Sequence, residues 1–216
     1  MKFFYKLTFE IICLVYSRVL TFLENYFLRS KFKSKFSLEN DGFLKITSIS
    51  ELNISKKSFD FVLNNNEMSF YSNKYQKKIV LSQEKLESII KFIFDEQFCS
   101  FLTAQTGFKY SIDYFGAYQN FPISKEDLDK PWYANHYHLD KPNSRNMLKI
   151  FIPMSKIGMN DGPLELIDKN QTKHFLVGDL GEIFLCKLNI CQHKAGVPKD
   201  GNKTSLIMIQ LNPSRQ

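Results

Sequence analysis

From Lys2 to about Phe27 most polar positions recur as Lys6, Glu10, Ser17, Thr21 and Glu24 with Asn25, inside a wide apolar surround that only Thr8 and Arg18 interrupt. That spacing predicts one long amphipathic helix over 2 to about 27, with a narrow polar stripe. Its longest uninterrupted apolar run, 11–16, falls far short of the roughly 18 residues a membrane span needs. It is also a poor signal peptide, because Lys6 and Glu10 fall where a continuous apolar region is required. From 37 to 80, short apolar groups alternate with Asn, Ser and Lys, and Asn64-Asn65-Asn66-Glu67 reads as a turn. Ser82 reads as an N-cap, and Leu86, Ile89, Ile90, Ile93 and Phe94 keep to one helix face, which predicts a helix over about 83–95. Beyond it Phe108, Tyr110, Ile112 and Tyr114 alternate with Lys109, Ser111 and Asp113, and apolar runs follow at 147–153, 163–167, 181–186 and 204–211. Gly, Pro, Asn and Asp separate these runs, as turns separate strands. Helices in front and short strands behind predict a mainly β chain of the α+β kind, a barrel or sandwich covered by N-terminal helices.

With 216 residues, 44% of them hydrophobic, the chain can bury a substantial core without disulfide or metal staples. The expected division is an amphipathic helix and basic linker over 1–36, then a single domain over 37–216. Of the net charge of +7, five units lie in 1–36, where Lys2, Lys6, Arg18, Arg29, Lys31, Lys33 and Lys35 face only Glu10 and Glu24. The basic cluster at 29–36 could rest on an anionic membrane as a peripheral contact. The simpler expectation is a helix packed on the barrel, followed by a solvated linker. No nucleic-acid-binding signature accompanies the charge, so no nucleic-acid partner is expected. Cys13, Cys99, Cys186 and Cys191 form no Cys-x-x-Cys pair. Reduced thiols in a cytoplasmic compartment are the expectation, with membrane association if the helix docks there.

Among four histidines, two fall in Trp132-Tyr133-Ala134-Asn135-His136-Tyr137-His138-Leu139-Asp140. On a strand, residues two apart share a face, so His138 and Asp140 can address one metal while Leu139 turns into the wall. His193, 55 residues beyond His138, can supply a third ligand from another strand. Two imidazoles and a carboxylate on one octahedral face leave three positions open, which suits Fe(II) taking a co-substrate and dioxygen. A register using His136 with His138 and no carboxylate is also open, although His136 is expected to face the substrate or to support a ligand.

Several ordered pieces over roughly residues 100 to 214 resemble the phytanoyl-CoA dioxygenase-like family of Fe(II)/2-oxoglutarate oxygenases. His138-Leu139-Asp140 resembles the proximal ligand pair, and Met147-Leu148-Lys149-Ile150-Phe151-Ile152-Pro153 the strand after it. Asp161-Gly162-Pro163-Leu164-Glu165-Leu166-Ile167 is similar to the family's Asn-Gly-Pro-Leu turn and strand. Gly178-Asp179-Leu180-Gly181-Glu182-Ile183-Phe184 is similar to the stretch before the distal ligand, here His193. The resemblance implies a double-stranded β-helix, the jelly-roll or cupin-like barrel, with iron held by His138, Asp140 and His193. It also implies a dioxygenase that hydroxylates a small-molecule or lipid-like substrate, with an anionic one favoured by the basic charge, while 2-oxoglutarate goes to succinate and CO2.

The family usually binds the far carboxylate of 2-oxoglutarate with an Arg about ten residues after the distal His. Here that position holds Lys203, followed by Thr204 and Ser205. Lys203 and Ser205 would share a strand face and could hold the carboxylate together, without Arg's bidentate fork. Lys149 is the competing counter-ion, and Tyr118, Tyr110 or Tyr114 could add a hydroxyl. Trp132 and Asn135 are expected at the barrel mouth, Arg145 and Asn146 at the cleft or in water, and His174 at the surface. The alternatives are a jelly-roll that binds without catalysis, or a cupin-type dioxygenase that does not use 2-oxoglutarate.

Overall fold

A computed structural model describes residues 2–29, 38, 41–46, 68–140 and 143–214. The predicted basic linker at 30–36 and the turn at Asn64-Asn65-Asn66-Glu67 lie outside the described residues. Helix α1 spans Lys2–Phe27 and α2 spans Gln83–Ile93, where the Ser82 side chain accepts from Lys85 N. The sequence reading runs α2 to 95 and turns to strands. Instead, Asp95 caps a further helix, α3 (Glu96–Thr106), its Oδ1 accepting from Gln97 N at 2.9 Å and Phe98 N at 3.2 Å. The buried positions of α3 are Phe98, Leu102, Gln105 and Thr106, so its inner face is half polar and gives little apolar periodicity to read.

The strands are β1 (Phe43–Ile46), β2 (Met68–Asn73), β3 (Gln76–Val80), β4 (Tyr110–Asn120), β5 (Leu148–Pro153), β6 (Glu165–Ile167), β7 (Lys173–Phe175), β8 (Ile183–Cys186), β9 (Gln192–Lys194) and β10 (Thr204–Pro213). They form a seven-stranded sheet in the order β1-β8-β5-β10-β4-β3-β2 and a three-stranded sheet β7-β6-β9, with antiparallel pairing throughout. Two antiparallel sheets facing each other, with helices on the outside, make this a jelly-roll of the α+β kind, as the sequence predicts.

Alternation along the central strands separates two cores. Ile150 and Ile152 of β5, Leu185 of β8 and Ile207 and Ile209 of β10 pack outward against Ile89, Phe92 and Phe98 of the helices. Phe151, Phe184, Cys186 and Leu206 point inward against Leu164, Leu166 and Leu176 of the smaller sheet. The Asp161-Gly162-Pro163 turn lies against the chain at 197–198. Gly162 has φ +69° and a Cβ there would sit 2.4 Å from Pro198 N, so the turn needs glycine both for its backbone and for this approach.

Helix α1 meets the body with its polar stripe. The Ser17 hydroxyl donates to Asn143 O at 2.7 Å, Thr21 Oγ1 accepts from Arg145 N at 2.9 Å, and Glu24 accepts from Ser144 Oγ and from Asn146 Nδ2 at 3.0 Å. Burial raises the pKa of Glu24 against the lowering effect of those two bonds. Arg145 N and Asn146 therefore serve to hold the helix. The apolar surround faces away, with Phe22 67% and Tyr26 73% exposed, although each such side chain would gain about 1.5–3 kcal/mol if fully buried. Glu24→Ala should cost about 1–3 kcal/mol by stranding Ser144 and Asn146, whereas Tyr26→Ala should stay within about 0.5 kcal/mol of the parent; urea unfolding of the two variants checks the orientation.

Candidate metal centre

The segment 121–135 is fastened before the ligand pair begins. Asp127 accepts from Tyr75 OH at 2.7 Å and is paired with Lys130 at 2.6 Å and Lys74 at 3.1 Å. These bonds hold its carboxyl well below the usual carboxylate range. Trp132 lies edge-on to Tyr75, and its Nε1 donates to Asp127 O. The buried Asn135 side chain accepts from Trp132 N at 2.9 Å and donates to Lys130 O at 3.1 Å and to Leu128 O at 3.4 Å. Trp132 and Asn135 thus support a turn instead of lining a mouth.

From this turn the chain runs alongside β9. His138 N donates to His193 O and His193 N to His138 O, both at 3.0 Å, and Asp140 N donates to Leu188 O at 3.0 Å. The ligand pair therefore lies as a further, irregular strand beside the smaller sheet, and its period-2 geometry turns His138 and Asp140 to the same side. Each of His138 Nε2 and His193 Nε2 stands 3.7 Å from Asp140 Oδ1. Among the described residues these three side chains form a group whose ligand atoms all lie within 4.8 Å of one another. Two bonds of about 2.1 Å to a common ion can bridge up to about 4.2 Å, so each 3.7 Å pair can share one.

The donor set also fits in its protonation. His138 Nδ1 faces His136 O at 2.9 Å and His193 Nδ1 faces Cys191 O at 3.4 Å. A carbonyl can only accept, so these contacts favour the tautomer with the proton on Nδ1 and the Nε2 lone pair turned to the site. Burial pushes the His193 pKa down to about 4, against the opposing pull of Asp140. At neutral pH no proton has to leave His193 before a cation binds. Asp140 divides its carboxylate: Oδ1 faces the imidazoles, and Oδ2 meets Lys149 Nζ at 2.7 Å, both side chains being 13% exposed.

These groups line a cavity of about 670 Å³ together with Tyr118, Phe151, Leu164 and Met208. Burial pushes the Tyr118 hydroxyl well above its ordinary pKa, so it stays a proton donor. Lys203 and Ser205 do not reach this cavity. They line a separate depression of about 270 Å³ beside Gln119, whose Nε2 donates to Ser205 Oγ at 2.8 Å. Strand parity explains the separation: Ser205 alternates with Leu206 and so shares the outward face of Ile207 and Ile209, while Lys149 shares the inward face of Phe151. His136 is exposed and offers its carbonyl to His138. His174 pairs with Asp168 at 2.8 Å, and Tyr110 OH donates to Asn146 O, both away from the cavity; Tyr114 does line it. Sequence reasoning missed Phe151 and Met208, although their parity with Lys149 on β5 and with Leu206 on β10 was the available signal.

Solved structures share this fold. SnoN, the non-heme alpha ketoglutarate dependent epimerase from nogalamycin biosynthesis, is similar with a TM-score of 0.56 and 9% identity, covering 82% of this chain and 79% of SnoN. HygX from Streptomyces hygroscopicus, solved with nickel and 2-oxoglutarate bound, gives 0.52 and 8% over 82% and 85% of the two chains. AviO1 from Streptomyces viridochromogenes gives 0.53 and 11% over 83% and 93%. No protein-family model matches the chain, and no curated protein matches it. At such identities the likeness is one of fold. Asn135→Ala should strip Trp132 N, Leu128 O and Lys130 O of a partner and lower stability by about 1–3 kcal/mol, read as an earlier urea midpoint at unchanged slope.

Proposed function

We propose that the chain is an Fe(II)/2-oxoglutarate-dependent dioxygenase that hydroxylates a small-molecule or lipid-like substrate. The observation that carries this reading is the convergence of His138 Nε2, Asp140 Oδ1 and His193 Nε2 at one wall of the inner cavity of a jelly-roll. Support comes from fold neighbours that include a 2-oxoglutarate-dependent enzyme and a protein solved with 2-oxoglutarate and a metal. The pieces at 138–140, 147–153 and 161–167 that resemble phytanoyl-CoA dioxygenase-like enzymes also contribute residues to the lining of this cavity.

In this reading His138, Asp140 and His193 would hold iron, which would supply oxidising chemistry that side chains lack. Lys149, on the cavity side of β5, gives up part of its hold on Asp140 to neutralise the far carboxylate of 2-oxoglutarate. The protonated Tyr118 hydroxyl donates a second bond to that carboxylate. Phe151, Leu164 and Met208 keep the space dry and give an apolar substrate its contact surface. The Lys149–Asp140 pair also favours one rival: a jelly-roll in which Lys149 is the permanent counter-ion and no metal enters.

Thermal melts separate the two. Mn(II) at about a hundredfold excess over its Kd should stabilise the chain by ~2.7 kcal/mol, roughly 5–10 °C at this size, with a further rise on adding 2-oxoglutarate. An unmoved midpoint would leave the permanent counter-ion as the reading. His138→Ala or Asp140→Ala should remove the Mn(II) shift and the turnover of 2-oxoglutarate to succinate. Lys149→Met should raise the 2-oxoglutarate concentration needed for half-maximal turnover about tenfold or more, the loss of one ~1.4 kcal/mol contact, and Lys203→Ala should leave it within about twofold.

A further inference from the structure

The outer face of α1 is the largest feature the proposed activity does not use. Phe9, Ile12, Val15, Val19, Phe22 and Tyr26 are all exposed on it, an apolar band about 27 Å long. Contiguous apolar surface of this extent marks an interaction site. The helix is built the wrong way round for water, because Ser17 and Glu24, which could have faced solvent, are turned inward and bonded to 143–146.

That inversion also sorts the charges. Among the described side chains of α1 and residues 28–29, the carboxylate is Glu24 and it is buried, while Arg18 and Arg29 are exposed. Lys31, Lys33 and Lys35 follow directly in the sequence. The outer face therefore combines apolar anchors with cations and no exposed anion among the described side chains. No described helix is long and apolar enough to cross a membrane, and the bonds of Ser17, Thr21 and Glu24 hold the C-terminal part of α1 against the protein. A second copy docked on this face would set cations against cations.

We infer that α1 lies flat in the surface of an anionic phospholipid bilayer, its apolar face sunk below the headgroups and its basic residues among the phosphates. The segment that grips α1, 143–146, comes shortly before β5 in the chain.

Flotation of the full chain with vesicles tests this without reference to turnover. The protein should float with phosphatidylcholine vesicles containing about one-third phosphatidylserine, float less in high salt, and stay behind with phosphatidylcholine alone. Val19→Glu with Phe22→Glu should weaken binding at least tenfold, and Arg18→Ala about fivefold, with circular dichroism and the urea midpoint unchanged because all three positions are exposed. Wild-type protein that stays in solution with anionic vesicles, or a double variant that floats as well as wild type, overturns the inference. So does a wild-type dimer that the double variant converts to monomer without any vesicle binding, which would assign the face to a second copy.

Discussion

The reciprocal pair of backbone hydrogen bonds between His138 and His193 is the constraint on which the site depends. It fixes the register of the ligand segment against β9, and one residue of slip would turn both His138 and Asp140 to the opposite side. Because the bond is backbone to backbone, it leaves both imidazoles and the carboxylate free to converge. The fastened turn at 127–135 delivers the chain into this register, and the Gly162 turn brings the smaller sheet close enough to receive it.

Around that frame the electrostatics are tightly allotted. An ammonium and a carboxylate at 13% exposure would each be costly alone, and the 2.7 Å pair of Lys149 and Asp140 compensates both. The pairing engages one carboxylate oxygen and leaves the other to the imidazoles. A carboxylate entering the cavity meets a cation already placed on its wall, and a cation meets two imidazoles whose Nδ1 atoms already face the carbonyls of His136 and Cys191. On the proposed assignment, metal and co-substrate would share Lys149 and Asp140, so occupancy of one would bear on the other.

Helix α1 extends this economy outward. Its polar stripe serves the loop between Asp140 and β5, so the structural role takes the hydrophilic face and the apolar face is left over. Among the described side chains of the helix, Cys13 is the buried apolar one, so the inward hydrogen-bond network carries much of its attachment.

Local patterning determined much of this in advance. The stripe of α1, the caps at Ser82 and the alternation of β5 and β10 are written within a few residues of one another, and so is the shared face of His138 and Asp140. Period and capping depend only on neighbours, which is why they are legible. The half-polar inner face of α3 is the local exception. What the sequence did not determine is which face meets which partner. Pairing across 55 residues brought His193 to His138, sheet topology turned Lys149 into the cavity and Ser205 out of it, and the 143–146 loop selected the polar face of α1 for burial. Each is a long-range choice between two faces that the local periodicity defines equally well, so only the packed tertiary structure could make it.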